Sequence, residues 1–180
     1  RGSAEFANVV GLGCLPTAPF ELIGLEVTQA VQDWRNSVPL IAGKTTLVRA
    51  HLRAGQDAGA VSGRLHGERD GIALPGSPLT AINPEGKLFV EPDELEPLVL
   101  RRRYLDRSLN FRLPPDWLHG TVDLHFEPIG AVACREPDGT PGDCATQIAF
   151  EVQPPLDVTF IDVGWSDGTD TARINSTVIA

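Results

Sequence analysis

The stretch Leu40–Arg53, "LIAGKTTLVRAHLR", contains the Gly-Lys-Thr-Thr letters with which many phosphate-binding loops end. Such a loop also needs a glycine at position 38, so that successive backbone N–H groups can wrap the phosphates. Val38 stands there, and Pro39 removes a backbone donor from the loop. The residues after Lys44 alternate with period two and are rich in β-branched side chains, which favours a strand over a helix. The sequence therefore predicts a turn followed by a strand, and it does not support nucleotide binding.

Metal-assisted hydrolysis would need clustered ligands, and the four histidines are scattered along the chain. There is no His-Glu-x-x-His pair, which argues against a zinc-protease site of that kind within the chain. His51, His66 and His125 all fall at outward positions of predicted strands, where we expect solvated side chains. Two of them could still converge across a sheet.

Two Asp- and Gly-rich stretches are candidate calcium sites, because hard carboxylate oxygens on short loops suit that ion. The first contains Asp138 and Asp143, and the second contains Asp162, Asp167 and Asp170. Neither stretch matches the helix-flanked calcium loop, and Asp and Gly also favour plain turns. Calcium is therefore the one cofactor that we retain as a candidate, with ordinary turns as the alternative.

The basic run "RRRY" is the candidate ligand-binding surface. Arg101, Arg103 and Tyr104 could contact an anion or a polysaccharide, since the phenol ring offers a stacking face. We predict that Pro97–Arg103 is a strand. The alternative is an exposed edge strand whose charges discourage pairing with another molecule. No catalytic residues are predicted, because there is no Gly-x-Ser-x-Gly and no histidine at a suggestive spacing from a cysteine.

The three cysteines bear on the compartment in which the protein acts. Cys134 and Cys144 flank a polar loop between two predicted strands, so we interpret them as a disulfide that closes a hairpin. Such a bridge would stabilise the fold by roughly 2 to 3 kcal/mol and would imply an oxidising compartment. Two free thiols are the alternative. For the third cysteine, Cys14, three interpretations remain open: lipidation, a free thiol, or a disulfide to another segment.

Period-two alternation of apolar and polar residues dominates the chain and predicts an all-β protein. Helix is limited to short turns, for which we propose Gln29–Asn36 and Pro114–Leu118. Gly, Pro, Asn and Asp clusters separate about eight or nine short strands, which is typical of an antiparallel β-sandwich, Ig-like or fibronectin-like. Besides Pro97–Arg103, the predicted strands are Leu22–Thr28, Leu47–Arg53, Val61–His66, Leu88–Val90, Ser108–Leu113, Thr121–Glu127, Gln147–Val152 and Leu156–Val163.

Charge and hydropathy limit the partners and the domain plan. The net charge of -9 argues against a nucleic-acid partner, and no apolar run is long enough to predict a membrane span. We assign residues 1–20 to a cloning scar ("RGSAEF") plus an N-terminal tail, residues 21–165 to the β-sandwich, and residues 166–180 to a C-terminal hairpin or linker.

Two stretches resemble β-sandwich modules of large secreted or surface bacterial proteins. In Gly24–Arg53 the shared patterns are T-Q-x-x-Q, N-S-V-P-L and A-G-K-x-T-x-V-R, and in Leu109–Glu127 the pattern is F-x-L-P-x-x-W-L-x-G. The resemblance implies an Ig-like or adhesion-type topology and a place before a catalytic domain, commonly a putative zinc metalloprotease. It implies adjacent domains of a larger parent protein as partners. It does not supply zinc ligands to this chain.

We therefore predict a non-catalytic accessory or binding module that is secreted, periplasmic or on the cell surface and contacts a glycan or a protein. The alternative function is a hydrolase, carbohydrate-active or metal-dependent, whose site is assembled from loop residues far apart in sequence. Turnover by the purified chain would separate the two functions.

Overall fold

A computed structural model describes residues 19–92, 98–134, 142–154 and 164–173. The described residues form an all-β, sandwich-like fold with a four-stranded sheet and a seven-stranded sheet, both mixed, and a separate two-stranded pair. The predicted fold class is therefore confirmed. The predicted strand Leu156–Val163 and the tail before residue 19 lie outside the described residues.

The four-stranded sheet has the order β10-β1-β3-β8, and the larger sheet has the order β2-β11-β9-β4-β5, with β6 and β7 also paired to β4. The strands of the smaller sheet are β1 (Phe20–Thr28), β3 (Leu47–Ala54), β8 (Leu109–Arg112) and β10 (Val132–Cys134). Those of the larger sheet are β2 (Leu40–Ile41), β4 (Gly59–Arg69), β5 (Ile72–Ala73), β6 (Leu79–Thr80), β7 (Lys87–Val90), β9 (Gly120–Ile129) and β11 (Ala145–Glu151). The separate pair is β12 (Gly164–Ser166) and β13 (Thr171–Arg173).

This strand order has the arrangement of an Ig-like sandwich. Strands β1, β3 and β8 take the places of strands A, B and E, and β4, β9 and β11 take those of C, F and G. The chain changes sheets after β1, because β2 pairs in parallel with β11. The additional strand β10 pairs in parallel with the start of β1.

The core lies between the two sheets and is built from the inward residues that the alternation predicted. Phe111 and Phe126 meet edge to face from opposite sheets, with ring centroids 6.1 Å apart. Trp117 is fully buried and donates from Nε1 to the carbonyl oxygen of Pro75 at 2.9 Å. Its indole ring occupies the space in which a side chain at Gly67 would lie, so that position requires glycine.

Two of the predicted local structures are wrong. Residues 29–36 form a loop rather than helical turns, and Asn36 takes a left-handed conformation with φ 54°. Leu98–Arg101 forms a single helical turn where a strand was predicted. The predicted turn within Pro114–Leu118 is confirmed as 3₁₀ helix at Pro115–Trp117, and the other 3₁₀ turns are Pro84–Gly86 and Leu105–Arg107.

Side-chain amides hold the 29–36 loop in place. Gln29 both accepts from the backbone N–H of Ile41 at 2.9 Å and donates to its carbonyl at 2.8 Å, and it also donates to Thr46 Oγ1. Gln32 makes the same kind of two-way contact with Val38. Local hydrogen bonds of this type replace those that a helix would have supplied.

Two asparagines occupy stretches of the four-stranded sheet that no described strand covers, one on β1 beyond its pairing with β10 and one on the outer side of β8. On β1, the Asn36 amide accepts from Val27 N at 2.8 Å and donates to Leu25 O at 2.7 Å. On β8, the Asn83 amide accepts from Asn110 N at 2.7 Å and donates to Ser108 O at 2.9 Å. Each amide therefore satisfies the donor and the acceptor that a neighbouring strand would otherwise take up.

The disulfide between Cys134 and Cys144 is confirmed, but its place differs from the predicted hairpin. Cys134 ends β10 in the four-stranded sheet, and Cys144 immediately precedes β11 in the seven-stranded sheet. The bridge therefore ties the two layers of the sandwich together.

Candidate functional site: a buried ion network beneath a basic cleft

The outer face of β3 is covered rather than solvated. Arg49 is 6% exposed and His51 only 1% exposed, so the predicted solvated position of His51 is wrong. The alternation assigned these side chains correctly to the face opposite the core. Trp34 of the 29–36 loop and Arg102, which follows the Leu98–Arg101 turn, lie against that face and exclude water from it.

Glu26 of β1 is the centre of an ion network on this face. Its Oε2 lies 2.8 Å from His51 Nε2 and 3.4 Å from an Nη of Arg49, and its Oε1 accepts from Arg102 at 2.7 Å. The side chain of Glu26 is only 6% exposed. One buried carboxylate thus binds the guanidinium groups of two arginines and an imidazole, which leaves an excess of positive charge on this face.

Arg49 uses the rest of its guanidinium group to fix the segment that follows the helical turn. It donates to the backbone carbonyls of Arg102 at 2.7 Å and Tyr104 at 2.8 Å, and to Ser108 Oγ at 3.0 Å. Arg102 in turn donates to the carbonyl of Gln32 at 2.9 Å. The network therefore joins two loops that are about seventy residues apart in sequence to the same strand face.

Trp34 closes the network from the solvent side. Its ring centroid lies 5.3 Å from that of His51, and the guanidinium carbon of Arg102 lies 5.5 Å from it. Trp34 can pack here because residue 24 is glycine: a Cβ at Gly24 would come within 2.8 Å of the indole ring. The cation–π contact adds a favourable term on the order of 1 kcal/mol.

The environment sets the charge states of the two central groups. Burial alone would raise the pKa of Glu26, but the hydrogen bonds from His51 and Arg102 outweigh it and lower the pKa to about 2. Burial lowers the pKa of His51 by more than its bond to Glu26 raises it. Since His51 Nδ1 is buried without a partner, a neutral ring with its proton on Nε2 fits the site.

A basic cleft of about 450 Å³ opens beside the network. Its charged lining is Glu26, Arg49, Arg102 and Arg103, which is three arginines against one carboxylate. Val31, 76% exposed, lies on the lining as an apolar contact. In a chain of net charge -9, this cleft is a local positive site.

A second depression, the apolar groove, shares one wall with the basic cleft. It has a volume of about 260 Å³; its lining is mainly apolar, with Leu47, Ile82, Pro84 and Leu105, and it also includes the polar residues Asn83, Asp106 and Asn110. Leu105 also lines the basic cleft, and both Ile82 and Leu105 are more than half exposed. The two depressions therefore form adjoining basic and apolar surfaces.

The three residues of the predicted ligand surface differ in their exposure to solvent and in their relation to the basic cleft. Arg103 lines the basic cleft, and no carboxylate among the described residues pairs with it. Tyr104 is 56% exposed. Arg101 is 7% exposed and donates to the carbonyl of Leu52 at 3.1 Å, so its side chain does not face solvent.

Two of the predicted outward histidines meet on the other sheet. His66 of β4 and His125 of β9 are direct cross-strand neighbours, with ring centroids 5.9 Å apart. His66 Nε2 also lies 2.9 Å from Glu127 Oε2. The hydrogen bond from His66 lowers the pKa of Glu127.

The candidate calcium residues do not come together in the described part of the chain. Asp167 accepts from the N–H groups of Thr169 and Asp170 and from the Thr169 hydroxyl, bonds that lower its pKa to about 2. Asp143 accepts from Ala145 N. These are turn contacts, while Asp138 and Asp162 lie outside the described residues. Within the described ranges, no three His, Cys, Asp or Glu side chains are arranged around a common point to hold a metal ion.

The Gly-Lys-Thr-Thr stretch forms the predicted turn and strand. Gly43 has φ 75° in the turn between β2 and β3, and β3 begins at Leu47. Thr46 is fully buried and donates to the Lys44 carbonyl at 2.9 Å.

The sequence alone did not predict that Glu26, Arg49 and Arg102 form one ion network. A signal was present, since Glu26 and Arg49 carry opposite charges on the same face of consecutive strands and lie opposite each other in the register of β1 and β3. Arg102 could not have been found in this way, because it reaches the site from a loop.

A comparison with protein-family descriptions finds no match to this chain, and a comparison with curated protein sequences finds none either. In the described segments, no helix is both long enough and apolar enough to cross a membrane.

Proposed function

We propose that this chain is a non-catalytic accessory and binding module of a secreted or cell-surface bacterial protein. We propose further that its ligand is a protein segment that carries a carboxylate next to an apolar side chain. The observation that carries this proposal is the adjoining pair of surfaces: the basic cleft with Arg103, which pairs with no carboxylate in the described ranges, and the apolar groove behind Leu105.

The buried network supports a positioning role rather than a catalytic one. Glu26 lies on the cleft lining, but its two carboxylate oxygens are already engaged by His51 and Arg102, and Trp34 shields the ring of His51. The network holds the Arg102–Tyr104 backbone in place through the hydrogen bonds of Arg49. Arg103 therefore projects from a rigid support, which lowers the entropic cost of binding.

A peptide fits the two surfaces better than a glycan does. Sugar-binding sites rely on aromatic faces, whereas the apolar groove is walled by the aliphatic Leu47, Ile82 and Leu105. A carboxylate is the natural counter-ion for Arg103. The disulfide between the sheets supports the secreted location, since such bonds persist in oxidising compartments. The place before a metalloprotease domain rests only on the resemblance of Gly24–Arg53 and Leu109–Glu127.

The test is a paired peptide array probed with the purified chain. Each peptide with an acidic residue beside Leu, Ile or Val is matched by a copy in which Asp or Glu becomes Asn or Gln. We expect binding to the acidic copies, at least about fivefold weaker for Arg103→Ala. Arg112→Ala, at an exposed arginine outside the cleft lining, is the matched control and should bind as the parent does.

Three results would overturn the proposal. Binding to a glycan array with no preference among the peptides would assign the cleft to a carbohydrate. Equal binding by the parent and by Arg103→Ala would exclude the cleft. Hydrolysis of a peptide or glycan that is lost when an Asp, Glu or His pair is substituted would make the chain a hydrolase.

A further inference from the structure

The outer face of the seven-stranded sheet carries a cluster of imidazole and carboxylate groups that the network and the cleft do not use. His66 and His125 are directly opposite each other on antiparallel strands, and Glu127 follows two residues after His125 on the same face. All three side chains are partly or largely open to solvent. We propose that His66, His125 and Glu127 form a binding site for a divalent transition-metal ion of the zinc and nickel type.

The spacing of the first two donors already suits a metal ion. Nε2 of His66 and Oε2 of Glu127 are 2.9 Å apart. Two ligands bound tetrahedrally to one zinc ion at about 2.0 to 2.2 Å lie roughly 3.3 to 3.6 Å from each other. A metal ion can therefore replace the proton that these two atoms share once the atoms move apart by about half an ångström.

The third donor needs only a side-chain rotation. The ring centroids of His66 and His125 are 5.9 Å apart, whereas two imidazoles on one zinc ion have centroids about 5 Å apart. The donors do not surround one point in this structure, so the exposed ring of His125 must turn toward His66. Ala145 is the neighbour of His125 on β11, and its small side chain leaves that ring room to move.

The charges around the site favour a cation on balance. Arg64 lies opposite Glu127 and opposes metal binding. Glu68 and Asp123 are paired in the next row beyond the two histidines and favour it, although Asp123 also accepts a hydrogen bond from Gln147 at 2.7 Å. Two histidines and a carboxylate are a donor set that transition metals accept, with water completing the coordination.

The ion would join β4 to β9, the central strand pair of the larger sheet. Because the ion binds the folded register and not the unfolded chain, it would raise the melting temperature as its concentration rises. Binding would weaken on acidification, since both imidazoles must be unprotonated to act as ligands.

The experiment is calorimetric titration of the untagged chain with zinc chloride and, separately, nickel chloride, in a non-coordinating buffer at about pH 7.5. We expect one ion per chain, with affinity at least about tenfold weaker in His66→Ala and in His125→Ala. His119→Ala removes an exposed histidine outside the cluster and should leave binding unchanged. Glu127→Gln should weaken binding while keeping the side-chain shape.

Melting curves with and without zinc provide the second readout. We expect the ion to raise the melting temperature of the parent and of His119→Ala, but not of His66→Ala or His125→Ala. The proposal is wrong if zinc and nickel give no heat and no stabilisation at millimolar concentration. It is equally wrong if His66→Ala and His125→Ala, folded by circular dichroism, bind the ions as tightly as the parent does.

Discussion

His51 donates from Nε2 to Oε2 of Glu26 across 2.8 Å, and both side chains are shielded from solvent. A carboxylate that orients an imidazole is a familiar arrangement in acid–base catalysis. Here the other ring nitrogen, Nδ1, is buried without a partner, and Trp34 lies over the ring. The pair is therefore part of the packed fold, and its contribution can be measured as stability.

Replacing Glu26 should be severely destabilising. Glu26→Gln leaves the buried guanidinium groups of Arg49 and Arg102 without their counter-charge, and we expect the free energy of unfolding to fall by about 3 to 5 kcal/mol. Urea denaturation at neutral pH measures the change. Glu85→Gln is the control, because the Glu85–Lys87 pair is exposed and worth less than about 1 kcal/mol. Similar losses in the two variants would contradict the role given to the network.

Stability should fall in two stages on acidification. The pKa of His51 is lowered in the folded chain, so below about pH 6.5 the unfolded chain takes up a proton that the folded chain does not. The pKa of Glu26 is also lowered, from 4.5 to about 2, so its contribution is present above pH 4.5 and is lost between those values. Both pKa shifts therefore reduce the free energy of unfolding as the pH falls.

Urea unfolding across a pH series tests these two stages. His51→Gln should remove the loss that begins near pH 6.5, whereas His119→Gln should keep it. Glu26→Gln should flatten the lower stage relative to the parent. An unchanged pH profile in His51→Gln would show that His51 is protonated equally in both states.

Removing the disulfide should weaken the sandwich without abolishing it. The bridge spans a sequence separation of ten residues, and in the loop-entropy view its loss costs roughly 2 to 3 kcal/mol. We expect Cys134→Ala/Cys144→Ala to unfold at correspondingly lower urea concentration. Reductant should lower the stability of the parent to that of the double variant and should not affect the variant itself. A parent that is insensitive to reductant would contradict the prediction.

Gly67→Ala should destabilise the core by overpacking. A methyl group at this position would collide with the indole ring of the buried Trp117, and overpacking of this kind typically costs about 1 to 3 kcal/mol. Gly55→Ala is the matched control, since its nearest new neighbour would be Pro19 O at 3.7 Å. Thermal unfolding of both variants would reveal the difference, and equal melting temperatures would show that Trp117 can move aside.

The sequence was sufficient for the strands and the fold class because alternation is a local property. It placed β3, β4, β9 and β11 within a few residues of their bounds. The 29–36 loop was mistaken for helix because its order comes from side-chain amides such as Gln29, which bond to residues that periodicity does not include. The candidate site was even harder to predict from the sequence. The outer face of β3 is covered because a loop brings Arg102 onto it. No pattern within β3 itself indicates this covering.

The asparagines on β1 and β8 have a consequence for how copies of this chain behave when crowded. Bare strand edges recruit other strands and seed aggregates. At Leu25–Val27 and at Ser108–Asn110, the donor and acceptor that a foreign strand would need are already bound by the amides of Asn36 and Asn83. At these two stretches the four-stranded sheet thus carries its own protection against self-association, in each case through an asparagine side chain.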